Sequence, residues 1–102
     1  MNPRVRSALE EMRSHYDDLS YEEVSSVKWR KMAPISIEGK RYFPAVWAEI
    51  FPDQEVLLVV QLTKWYFFKC IGATDCIGFT LTPDGRRKYV DEHWLMHEVG
   101  YP

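Results

Sequence analysis

Three consecutive stretches of this chain carry apolar side chains on both of their alternating rows, which a sheet with one wet face does not need. In 41–51 one row holds Phe43, Ala45, Trp47 and Phe51, and the other holds Tyr42, Val46, Ala48 and Ile50. In 55–63 the row Val56, Leu58, Val60, Leu62 is unbroken, yet Leu57 and Val59 stand opposite it. Over 65–71 the rows are Trp65, Phe67, Ile71 and Tyr66, Phe68, Cys70. Such strands must be covered on two sides. The remaining sequence therefore has to supply the cover, or a partner does.

The cover available is small. Asn2 followed by Pro3 marks a helix start, after which Val5, Ala8, Leu9, Met12, Tyr16 and Leu19 recur at helical spacing. Ser20 and Glu23 form an S-x-x-E capping box for a short helix to about Ser26. Asp91 can cap a last helix to about Val99, with Trp94 and Leu95 facing inward and Gly100 beyond its end. Between these helices, Glu38-Gly39 reads as a tight hairpin after Ile35–Ile37, and Pro83-Asp84-Gly85 as a turn into a last strand over 86–90. Pro52-Asp53 closes the 41–51 strand, Gly72–Asp75 reads as a loop, and 76–82 alternates Ile77, Phe79, Leu81 against Gly78, Thr80, Thr82. Pro44 cannot donate to a ladder, so its end of the strand belongs at an edge or bulge. Lys28–Met32 reads as a connection or edge segment ended by Pro34. The fold expected is α+β: an N-terminal helix on a four- to five-stranded antiparallel sheet with a short C-terminal helix, in one domain spanning 1–102.

Composition narrows the function classes. A net charge of −2 provides no global positive field, which argues against nucleic acid and anionic membrane as partners. The segment 1–12 mixes charges with apolar residues and lacks the apolar centre of a signal peptide, and 56–60 is too short to cross a bilayer. Two cysteines without such a signal suit a reducing compartment, so a cytoplasmic protein with free thiols is expected. No glycine-rich phosphate loop occurs, and no cofactor is expected.

Three constellations could carry chemistry. Cys70, Cys76, His93 and His97 could hold a metal or serve a small enzyme, with Cys76 as nucleophile and His93 as base. Against this, the five residues between the cysteines exceed the spacing of a zinc knuckle, and a small buried cysteine is the ordinary alternative. Lys28-Trp29-Arg30-Lys31, Lys40-Arg41 and Arg86-Arg87-Lys88 set cations beside aromatics, a pattern that suits single-stranded nucleic acid but equally serves to solubilise turns and protect edges. The third is the apolar surplus itself. Two or three short helices cannot hide both faces, so the outer face is expected to be an interface with a protein partner or a second copy, anchored by Phe43, Trp47, Trp65 and Phe67. The function expected on that basis is a non-enzymatic interaction or accessory domain.

Overall fold

In the computed structural model, which describes residues 1–66 and 71–98, the double-sided strands form the middle of a six-stranded antiparallel sheet. Helix α1 (Pro3–Ser14) comes first, then α2 (Tyr21–Ser25), β1 (Arg30–Lys31), β2 (Ile35–Ile37), β3 (Lys40–Ile50), β4 (Val56–Tyr66), β5 (Ile71–Leu81), β6 (Arg87–Val90) and α3 (Glu92–Glu98). The order across the sheet is β1-β3-β4-β5-β6, and β2 pairs with β3 on the side that β1 also uses. Every pairing is antiparallel.

The helix signals act as their residue types dictate. Asn2 accepts a hydrogen bond from the Arg4 amide at 2.8 Å, and Pro3 opens α1. At α2 both halves of the capping box form: the Glu23 amide donates to Ser20 Oγ and the Ser20 amide to Glu23 Oε1. The Trp94 amide donates to Asp91 Oδ1 at 2.9 Å, and α3 follows. Tyr16 and Leu19 lie in the turns after α1 instead of on it, yet both still pack against the inner core.

Three strand expectations change. Gly72–Asp75 is not a loop but the first half of β5, because Lys64↔Ala73, Thr63↔Thr74 and Leu62↔Asp75 continue the β4 ladder without a break. Strand β4 likewise runs through Trp65 in a single piece. The sheet gains its sixth strand because Arg30 and Lys31 pair with Val46 and Ala45, so that of the two readings of Lys28–Met32, connection or edge segment, the edge holds, in a strand too short to show any alternation. Pro44 is accommodated for a clear reason: its carbonyl accepts from the Met32 amide, so its backbone faces away from β4 and the β3–β4 ladder loses nothing. At the β2–β3 turn Glu38 and Gly39 both take positive φ (51° and 76°), the geometry of a two-residue hairpin.

The sheet has two cores. On the inner face Val5 and Leu9 of α1 and Val24 of α2 meet Tyr42, Val46, Val56, Leu58, Val60, Leu62, Ile77, Phe79 and Leu81. On the outer face Leu57, Val59, Cys76 and Val90 are closed over by Leu95 of α3, with Trp47, Phe51 and Trp94 partly buried around them. Among the described residues, no helix is long and apolar enough to cross a membrane.

Candidate functional site

Among the described residues the outer face is covered only in part, and register explains which part. Across β3, β4 and β5 the outward rows are Trp47, Val59, Gly78, then Ala45, Gln61, Cys76, then Phe43, Thr63, Thr74. Helix α3 follows β6, whose last residue Val90 pairs with Gly78, and its Leu95 and Trp94 pack on Val59 of the first of these rows and Cys76 of the second. The Phe43 row lies beyond that core, and apart from Phe43 itself its residues are short: with Thr63, Thr74 and the neighbouring Ala45 as floor, the surface there is concave.

Larger side chains raise the walls. Because Lys31 pairs with Ala45, β1 brings Trp29, Lys31 and Met32 to one side of the depression, and Trp65 near the end of β4 stands on the other. Together with Phe43 and Pro44 these residues enclose a groove of about 590 Å³. Trp29 is 55% exposed and Trp65 44% exposed, unusual values for the largest apolar side chain. The Trp65 ring lies over Gly72, where a side chain would collide with its Cε3 and Cζ3 atoms.

The floor carries a few fixed polar groups. Trp47 Nε1 donates to Gln61 Oε1 at 3.2 Å, and the hydroxyls of Thr63 and Thr74 share a hydrogen bond of 3.0 Å. Among the described residues Lys31 is the one charged member of the lining, and the Arg41 guanidinium sits 5.5 Å from the centre of the Phe43 ring. Mostly apolar walls with a small number of oriented polar groups are the usual make-up of a recognition surface.

The four expected anchors fall differently. Phe43 and Trp65 line the groove. Trp47 shares their face but packs with the core under α3, two residues along the strand from Ala45, and reaches the groove through Gln61. Phe67 lies outside the described residues. Trp29, read in the sequence only as the aromatic member of a basic cluster, supplies a wall; the signal that could have found it is its position two residues before Lys31 in a strand that pairs with β3.

Of the Cys and His set, Cys76 is fully buried beneath α3, and burial, followed by the Glu92 and Asp75 carboxylates, pushes its thiol up to about 12. A nucleophilic thiol needs the opposite shift, so Cys76 belongs to the core. His93 is exposed on the first turn of α3, while Cys70 and the side chain of His97 lie outside what is described. Among the described residues no three His, Cys, Asp or Glu side chains gather as metal ligands. The third basic cluster is remote from the groove and structural in character: Arg86 pairs with Asp84 at 3.3 Å, and Arg87 stacks 4.3 Å from the centre of Phe79 while donating to the Leu19 carbonyl at 3.0 Å.

Compared with protein-family models, curated proteins and solved structures, the chain has no match.

Proposed function

We propose that this protein is a binding module that docks a segment of a partner protein in the outer-face groove, with Trp29, Phe43 and Trp65 as its apolar contacts. One observation carries the reading: Trp29 and Trp65, both half-exposed, line one depression with Phe43, outside the core that Leu95 closes over. Tryptophans so placed stay in contact with water until something covers them, and aromatic anchors in a central pocket contribute disproportionately to protein association. Gln61, Thr63 and Thr74 supply hydrogen-bonding groups that would fix the orientation of an incoming chain, and the Lys31 ammonium adds one charged contact at the wall.

The test is a selection of displayed peptides on the intact protein, counter-selected against Trp29→Ser and Trp65→Ser. Each substitution removes an exposed side chain, so both variants should keep the native far-UV spectrum. The reading expects enriched peptides with apolar side chains whose affinity falls at least tenfold in either variant. Peptides that bind both variants as well as the parent protein would refute it. A labelled single-stranded oligonucleotide run beside them addresses the competing use of aromatics with cations, and its binding at the same residues would replace the protein partner with nucleic acid.

A further inference from the structure

The two edges of the sheet are built unlike each other. One edge is the β1–β2 side, and it carries Lys28, Arg30, Lys31 and Pro34, the cations and proline with which strand edges are usually guarded against pairing. The other edge is β6, but β6 is only four residues long and pairs with Gly78–Leu81. Among the described residues, no strand pairs with Ile71–Ile77 on that side.

The backbone direction of this stretch is fixed by its neighbours. The Thr82 amide donates to the Arg86 carbonyl at 3.0 Å across the β5–β6 turn, so Thr82 directs its N–H toward the β6 side. Counting back by twos along the uninterrupted register, Gly72, Thr74 and Cys76 direct their N–H and C=O groups the same way. Gly72 and Ala73 are exposed and Thr74 and Asp75 half-buried, and this stretch contains neither a cation nor a proline. Among the described residues its outward-facing ladder is unpaired, and the Asp75 carboxylate is the one charge set along it.

The side chains along it say what kind of strand fits. On the outer face the neighbours are Thr74 and the Trp65 ring lying over Gly72, next to the groove. On the inner face they are Ala73 and Asp75, and Glu92, at the start of α3 on the other face, is near enough for the Asp75 carboxylate to help hold its pKa up, after burial. The outer row lies beside the Trp65 ring, and the inner row carries the Asp75 carboxylate. A second copy paired through the same edge would bring Asp75 and Glu92 toward their own counterparts, so the charge favours a foreign chain over self-pairing.

We propose that β5 is a strand-addition site: an extended segment of a partner protein pairs antiparallel with Gly72–Asp75, placing apolar side chains toward Trp65 and basic side chains beside Asp75. This rests on the reading of the protein as a protein-binding module, and adds the direction and the alternating chemistry of the docked chain.

The probe is a capped eight-residue peptide in which valine alternates with lysine, titrated into isotope-labelled full-length protein, with the same peptide N-methylated at alternate amides as control. Expected are shifts of the Gly72 and Thr74 amide signals, binding at least tenfold weaker for the methylated peptide, and a similar loss in Thr74→Pro. That proline removes an outward-facing N–H together with the hydroxyl that bonds Thr63, so Thr74→Val, which loses the hydroxyl alone, is its control and should bind like the parent protein, and Ala73→Lys, an exposed guard substitution, provides a further variant should Thr74→Pro fail to fold. Shifts confined to the Trp29 and Trp65 indole signals would overturn strand addition and leave the groove standing. Shifts at Gly72 and Thr74 without the indoles would support the edge and count against the groove. No shift at either place overturns both, and a free protein that is dimeric until Thr74→Pro makes it monomeric would show that a second copy occupies the edge, against the proposal.

Discussion

Two glycines of β5 separate the scaffold from the site, and substituting each by alanine should produce opposite outcomes. At Gly78 an added Cβ would stand 2.1 Å from the Leu58 carbonyl oxygen and 3.3 Å from Val59 Cα, all backbone of the central strand. A comfortable carbon–oxygen contact is about 3.3 Å, so β4 or β5 would have to move by about 1 Å. Strand β4 cannot yield easily, since its two rows anchor both cores at once. The cost should reach the upper end of the range for overpacking, about 3 kcal/mol, out of a total of about 5–15 kcal/mol. At Gly72 the added Cβ meets only the Trp65 ring, at 2.7 and 2.8 Å, and that ring is free to swing into solvent. Gly72→Ala should therefore cost about 1 kcal/mol or less while dislodging one groove wall. Urea unfolding followed by far-UV circular dichroism reads the difference. With a slope of about 1–3 kcal/mol per M, Gly78→Ala should lower the midpoint by about 1–3 M and Gly72→Ala by much less. Equal midpoints for the two variants would refute the close backbone approach at Gly78, and an unchanged Trp65 indole signal in Gly72→Ala would refute the placement of that ring.

Leu58→Ala, at a fully buried position of the inner core, should cost about 2–5 kcal/mol in the same assay. Ser20→Ala removes the hydroxyl that accepts from Glu23 and should cost about 1 kcal/mol, with most of the effect already present in the Glu23→Ala variant, because the two bonds form one box. In a Cys70→Ser background Cys76 should resist a thiol reagent at pH 8 and react only when urea unfolds the chain, because its thiol is held protonated up to about 12. The same shift fixes a sign: the folded state binds that proton more tightly than the unfolded one, so the Cys76 contribution to stability is fully present below pH 9 and is lost as pH rises from about 9 toward 12, a slope that Cys76→Ala should lessen.

Sequence made the helices and the central strands legible because their signals are local. Asn2-Pro3, the Ser20/Glu23 pair and Asp91 each act within one turn of the residues they organise. The double rows of β3 and β4 likewise announced a sheet covered on both sides. What could not be read is what depends on pairing. Gly72, Ala73, Thr74 and Asp75 are typical loop residues by type, and they are held extended by the β4 partners opposite them. Arg30 and Lys31 become a strand only through Val46 and Ala45. The site inherits the same limit: Phe43 and Trp65 were legible as surplus apolar residues, whereas the separation of Trp47 from them depends on how far α3 extends across the sheet, and the contribution of Trp29 depends on a two-residue pairing.

The claim beneath the functional reading is that Trp29 and Trp65 bound an open groove, whereas Trp94 serves the core under α3. The direct measurement is the set of assigned tryptophan indole N–H signals during titration with a peptide selected on the intact protein. The account predicts large, saturable shifts for Trp29 and Trp65 with Trp94 nearly still. Movement of Trp94 alone, or saturation without change at Trp29 and Trp65, would contradict it.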